Sequence, residues 1–251
     1  MSLLVVGPGG LTSELASVRE ALLTNAEETW RRLTEAPYSE EQLRQLAYAA
    51  HTSQATRLDL AANDIGVEAV RLIGQMPRLQ QLNVQRNRFG DAGVQALFPM
   101  PALETLDLSE CGLSEDATVW LTRLERLRSL DLSINNIGDT GCAVLARHWR
   151  FVVHLREMKV SGCGIGDNGL LFLAELPALE TLDVSFNNIT SIATLASNLS
   201  LRNLDLQYNQ VGDFNPLADN LMLQRLNIEG NPGPVEPLRR SLNHAVRAAA
   251  V

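Results

Sequence analysis

The stretch Leu103-Glu-Thr-Leu106-Asp-Leu108-Ser-Glu-Cys111 is answered 24 residues later by Leu127-Arg-Ser-Leu130-Asp-Leu132-Ser-Ile-Asn135. Both segments read Leu-x-x-Leu-x-Leu-x-x-Asn/Cys, and six more take the same frame. Upstream stand Leu58-Asp-Leu60 to Asn63 and Leu82-Asn-Val84 to Asn87. Downstream follow Met158-Lys-Val160 to Cys163, Leu182-Asp-Val184 to Asn187, Leu204-Asp-Leu206 to Asn209, and Leu226-Asn-Ile228 to Asn231. The leading leucines Leu79, Leu103, Leu127, Leu155, Leu179, Leu201 and Leu223 give, by subtraction, spacings of 24, 24, 28, 24, 22 and 22. Leucines on either side of a polar residue alternate with the period of a short strand. A return at a fixed interval in this range is the mark of a stacked repeat array.

In such an array each Asn or Cys turns inward to satisfy loop backbone groups, so a polar column is tolerated inside an apolar stack. That column is read as structural. Between the rungs lie Gly90-Asp-Ala-Gly-Val-Gln-Ala-Leu97, Gly138-Asp-Thr-Gly-Cys-Ala-Val-Leu145 and Gly166-Asp-Asn-Gly-Leu-Leu-Phe-Leu173, where Asp91, Asp139 and Asp167 are placed to cap short helices. The last rungs shorten to Ile189-Thr-Ser-Ile192-Ala-Thr-Leu195 and Val211-Gly-Asp-Phe214-Asn-Pro-Leu217. The 28-residue unit from Leu127 to His154 holds four extra residues near His148-Trp-Arg-Phe151, which predicts a longer helix or a bulge.

These motifs resemble leucine-rich repeats. Residues 56–178 are similar to the ribonuclease-inhibitor-like class and to the GALA-type repeats of bacterial plant-pathogen effectors. Residues 179–231 resemble the 22-residue internalin-like class, in which a 3₁₀ turn replaces the helix. The resemblance implies an α/β leucine-rich repeat solenoid with a parallel concave β-sheet, a convex side of helices and 3₁₀ turns, and helical caps at both ends. Shorter outer elements should flatten the arc toward the C-terminus. The predicted units are a leader and cap at 1–55, eight repeats over 56–231, and a closing cap at 232–251. Helical periodicity supports the caps, through Leu15, Val18, Leu22, Trp30 and Leu33, then Ser39 with Gln42 as a capping box, and finally Leu238, Leu242 and Val246.

The resemblance further implies recognition of a partner protein on the concave face. The preferred context is a bacterial effector, staying in the cytoplasm or delivered by a dedicated system such as type III secretion into a host cytoplasm. Two rival readings are the substrate-recognition part of a ubiquitin-ligase-type effector and an enzyme inhibitor. In the GALA family an F-box precedes the repeats, but residues 12–52 lack its Leu-Pro opening and its tryptophan-ended pattern, so that activity is not carried over.

Two columns carry the candidate binding residues. The central one reads Asp59, Asn83, Asp107, Asp131, Lys159, Asp183, Asp205 and Asn227, an acidic stripe broken by the only lysine of the chain. Adjacent strands lie about 4.8 Å apart, so neighbouring carboxylates should repel and their pKa values rise, with Lys159 relieving the repulsion between Asp131 and Asp183. The second column precedes each Asn or Cys and reads Ala62, Arg86, Glu110, Ile134, Gly162, Phe186, Tyr208 and Gly230. Ile134, Phe186 and Tyr208 suit interface anchors; the competing reading folds the two aromatics over the short loops as local packing. The partner-binding set is Arg86, Asp107, Ile134, Asp131, Lys159, Asp183, Phe186, Asp205 and Tyr208.

A net charge of -8 argues against nucleic-acid phosphates and anionic lipid as partners. The other 20 of the 21 basic residues are arginine, a bias that fits either a GC-rich coding sequence or the avoidance of ubiquitin acceptors. No stretch approaches the roughly 20 apolar residues of a membrane span. Cys111, Cys142 and Cys163 read as reduced core thiols. The sequons at Asn188 and Asn198 read as coincidence. His51, His148, His154 and His244 are scattered, and no nucleophile stands beside a base, so neither a metal, a cofactor nor enzymatic activity is expected. The chain is read as a monomer.

Overall fold

The structure is a computed structural model that describes residues 54–62, 65–218 and 220–235, together with His51 and Leu238. Eight three-residue strands arise from the rungs: β1 (Arg57–Asp59), β2 (Gln81–Asn83), β3 (Thr105–Asp107), β4 (Ser129–Asp131), β5 (Glu157–Lys159), β6 (Thr181–Asp183), β7 (Asn203–Asp205) and β8 (Arg225–Asn227). They pair in parallel in chain order as one sheet. The register sets Leu58 on Leu82, Leu106 on Leu130 and Leu182 on Leu204. The middle residue of each strand is buried while its neighbours are not, because one face of the strand meets the core and the other meets solvent.

The outer side carries α1 (Val67–Ile73), α2 (Gly90–Ala96), α3 (Ala117–Leu121), α4 (Gly138–Ala146), α5 (Trp149–Val152), α6 (Asp167–Ala174), a 3₁₀ turn at Ala193–Leu195, and α7 (Asn215–Ala218). A helix is about 10 Å across and a strand spacing about 4.8 Å, so stacking the two layers bends the sheet and makes its free face concave. In the long repeat α4 has 9 residues, the longer helix that was one of the two expectations, and α5 follows as a separate turn that buries Phe151 completely. The shortened repeats differ from each other. The sixth has the 3₁₀ turn, whereas the seventh makes one α-helical turn rather than a second 3₁₀ turn. The predicted caps at 12–34, 39–47 and 235–249 lie outside the described residues, apart from Val235 and the buried Leu238, and so does Asn63.

Leucine, valine and isoleucine from every repeat merge into one continuous core. Truncating a central member such as Leu182 to alanine would cost about 2–5 kcal/mol. The inward asparagines bind this core to its polar edge. Asn135 Oδ1 accepts from the backbone N–H groups of Cys111 and Leu113, while its Nδ2 donates to the carbonyls of Leu108 and Leu132. Each asparagine thus ties its own repeat to the preceding one. Cys111 and Cys163 hold the same column by donating Sγ–H to the carbonyls of Val84 and Leu132. Sulfur is a weaker acceptor than the amide oxygen, and each thiol meets the first loop N–H, that of Asn87 for Cys111 and of Asn135 for Cys163. Gly90 and Gly138, at φ 64° and 58°, turn the preceding loop so that their own N–H groups reach the carbonyls of Cys111 and Cys163.

The outer aspartates do not cap helices. None of the helices beginning near them has a side-chain cap bond. Asp91 accepts from the N–H and hydroxyl of Ser114, Asp139 from the N–H of Gly166, and Asp167 from the N–H groups of Thr190 and Ser191 and the Thr190 hydroxyl. Each carboxylate reaches across to the next repeat, where open loop N–H groups are better donors than those of its own helix. Burial works against the charge of Asp167, yet these donors outweigh it and lower its pKa.

A second asparagine ladder had no counterpart in the motif. Asn198 and Asn220 stand three residues before the leading leucine, where earlier repeats place Met76, Met100, Leu124, Val152 and Leu176. Asn198 donates to the Ala174 carbonyl and Asn220 to the Asn198 carbonyl, and both are buried. With its amide engaged on both sides, Asn198 is a structural residue. Trp120 is half-buried: it tilts against Phe98 at 6.3 Å and Arg123 lies 4.4 Å over its ring.

Candidate functional site

The inner face is set by the ends of the strands. In seven of the eight central positions the Asp or Asn side chain accepts the backbone N–H two residues on: Asp59 from Ala61, Asn83 from Gln85, Asp107 from Ser109, Asp131 from Ser133, Asp183 from Ser185, Asp205 from Gln207, and Asn227 from Glu229. This Asx turn rounds the chain off the strand. The acidic stripe therefore has a local backbone cause, and Lys159 is the one member that cannot make the bond.

Repulsion between carboxylates is not the leading effect along the stripe. Burial raises the pKa of Asp131 and of Asp205, opposed by their hydrogen bonds to Ser133 and Gln207, and the neighbours Asp107 and Asp183 add to the rise only after these. Lys159 stands between Asp131 and Asp183 in the register, as expected, but its ammonium pairs with Glu157 at 3.4 Å and Asp131 at 3.8 Å rather than with Asp183. Burial lowers its pKa, but Glu157 and Asp131 outweigh that and leave it raised. Toward the C-terminus the face forms a shallow hollow of about 710 Å³ whose lining includes Lys159, Asp183, Asp205, Arg225, Asn227 and Glu229.

The second column has one backbone conformation throughout. Ala62, Arg86, Glu110, Ile134, Phe186 and Tyr208 have φ between 49° and 58°, and Gly162 and Gly230 have φ 62° and 73°. This left-handed region is easy for glycine and costs other residues roughly 1–2 kcal/mol. Ile134, Phe186 and Tyr208 nevertheless keep large apolar side chains there, exposed at 60%, 57% and 46%. Phe186 and Tyr208 are also packed locally, on each other and, for Tyr208, on the next loop. Their rings stack on each other with centroids 4.6 Å apart and planes 21° apart, and the Tyr208 hydroxyl donates to Glu229 at 3.3 Å. The Tyr208 ring lies over Gly230, where a Cβ would come within 2.5 Å of it. Arg86 is held in an exposed 2.9 Å pair with Glu110, away from the aromatic end of the column.

The chain's candidate residues thus separate into two groups. Asp131, Lys159, Asp183 and Asp205 share the inner face with Asp107, and Ile134, Phe186 and Tyr208 form an apolar edge beside it. Sequence reading missed Glu157 as the nearest partner of Lys159, and it missed the surface ion pairs Glu104 to Arg128 (3.3 Å) and Arg156 to Glu180 (3.6 Å). Opposite charges one repeat apart at the residue after the leading leucine were the available signal. All three cysteines are buried and free. Among the described residues, no group of three or more His, Cys, Asp or Glu could hold a metal ion, and no helix is long and apolar enough to cross a membrane.

Comparison with known proteins agrees with the geometry. A family model described as leucine rich repeat matches residues 77–137, and a second one matches 153–174, 176–192 and 197–213. No curated protein matches the chain. Among solved structures, internalin C2 of Listeria monocytogenes is similar, at 18% identity over 82% of this chain and 89% of that one, with a TM-score of 0.56. Internalin F of the same organism is aligned over 92% of this chain and 80% of its own at 19% identity, with a TM-score of 0.47. The chain is a leucine-rich repeat protein, its rungs wound into a solenoid similar to that of internalin C2.

Proposed function

We propose that this chain is a protein-binding module whose partner docks on the concave face of its C-terminal half, anchored at Ile134, Phe186 and Tyr208. The observation that carries the reading is the exposed Phe186–Tyr208 stack on left-handed backbone, beside repeats where glycine fills the same position. Large apolar groups held rigidly in solvent contribute little to folding and suit interface anchors, with the acidic inner face beside them supplying polar contacts. The open sheet neither excludes water nor pairs an acid with a base, so the face is assigned binding and not catalysis. A bacterial effector directed at a host cytoplasmic protein is the context we favour, supported by the resemblance of residues 56–178 to effector repeats.

The test is affinity capture with the wild-type chain and with the Phe186→Ala/Tyr208→Ala double variant, alongside thermal melting of both. The proposal expects a specific partner to be lost from the variant while the melting temperature holds within a few degrees. Retention of every captured protein by the variant, or its global unfolding, would count against an anchor role.

A further inference from the structure

The apolar edge contains a slot. Gly162 falls between Ile134 and Phe186 in the left-handed column, and a Cβ built on it would lie 3.8 Å from Ile134 Cγ1, with no atom of Phe186 within 4 Å. One face of Phe186 is covered by Tyr208, which rests on Gly230, so the other face looks across the Gly162 gap. The surrounding strands β4 to β8 carry Asp131, Glu157, Asp183 and Asp205 against Lys159 and Arg225, and Lys159 is already paired with Glu157 and Asp131. The slot therefore offers an open aromatic face in a region with surplus negative charge.

We infer that the slot receives an arginine side chain of the partner, its guanidinium stacked flat on Phe186 over Gly162 and its N–H groups directed at the inner-face carboxylates. A planar, weakly hydrated cation suits this geometry: it stacks on an aromatic ring while its edge donates several hydrogen bonds, which the compact, strongly hydrated ammonium of lysine cannot do at once. The inference rests on the protein-binding reading and names the chemistry of the group recognised.

The experiment uses the full chain and extended Gly/Ser peptides carrying arginine, lysine, citrulline or leucine at alternate positions. Affinity is measured by fluorescence anisotropy, and the site is located through the Ile134 methyl resonance. Arginine peptides should bind at least about fivefold more tightly than lysine peptides and should shift Ile134, while citrulline and leucine peptides bind more weakly still. Phe186→Ala should abolish the preference for arginine. Gly162→Asn, which tolerates the left-handed backbone and fills the gap, should do the same with the fold intact. Equal affinity for arginine and lysine peptides would reduce the effect to bulk charge and overturn the inference. Leucine peptides that bind best and shift Ile134 would also overturn it while leaving the protein-binding reading in place. Absence of any binding overturns it as well, and the protein-binding reading falls only if the capture experiment is also indifferent to Phe186 and Tyr208.

Discussion

Asn187 offers the sharpest test of how the array is held together. Its Oδ1 accepts from the N–H groups of Cys163 at 3.0 Å and Ile165 at 2.9 Å, and its Nδ2 donates to the carbonyls of Val160 at 2.8 Å and Val184 at 3.0 Å. Val184 O keeps a second donor in Asn209, so alanine would strand three buried backbone groups: two N–H and one carbonyl. At about 1–3 kcal/mol for each unsatisfied group, and with water able to reach the loop edge, the loss should be about 4 kcal/mol. For a chain of this size that lowers the melting temperature by about 8–16 °C. The break also falls between stacked repeats, so the unfolding transition should broaden as the two halves of the array uncouple. The control is Asn187→Cys, because Cys111 and Cys163 show that a thiol retains the carbonyl bond in this column. It should lose roughly half as much stability. Circular dichroism melts and urea titration of the three proteins decide the matter. If alanine melts within 3 °C or so of wild type, the asparagine column is not a structural tie and the account of the core edge is wrong.

Three further outcomes follow from single sites. The Thr194 hydroxyl is buried without a hydrogen-bond partner, so Thr194→Val should stabilise the chain by about 1 kcal/mol, seen as a higher denaturation midpoint; an unchanged midpoint would show that water satisfies the hydroxyl. Burial holds the Asp205 carboxyl above its unfolded pKa, so the folded state binds that proton more readily and ionisation costs stability as pH rises. Asp205→Asn, which keeps the acceptor for the Gln207 N–H, should melt higher than wild type at neutral pH, and the gap should close as pH falls below the usual carboxylate range; a gap independent of pH would refute this cause. Burial pushes the Cys111 and Cys163 thiols up to about 12, so a thiol reagent at pH 8 should react only as the protein unfolds, and fast labelling of the native chain would contradict their burial.

The legible part of the site was its composition. The column Ile134, Phe186 and Tyr208 could be read as a series because the repeat frame assigns each residue a face, and the acidic stripe emerged the same way. Its causes could not be read there. Whether Asp107 or Asp183 serves a partner or its own backbone depends on an N–H two residues ahead, and only the turn after the strand brings that donor within 2.9 Å. The outer aspartates were misjudged for a similar reason. Asp91 stands in the first turn of α2, where an acidic side chain suits the helix start, yet the donors it meets belong to Ser114 in the next repeat, 23 residues away.

Eight stacked rungs with leucine inside and asparagine or cysteine at the turn follow from the period of the chain, because a period that recurs in the chain must recur in space when each unit can bury its apolar face only on its neighbours. Stacking in three dimensions is what sets which polar groups meet between repeats, and how Phe186, Tyr208 and the gap at Gly162 come to lie side by side. Those contacts join residues 20 or more positions apart, and their existence depends on the left-handed backbone, ring orientation and charge pairing that stacking imposes.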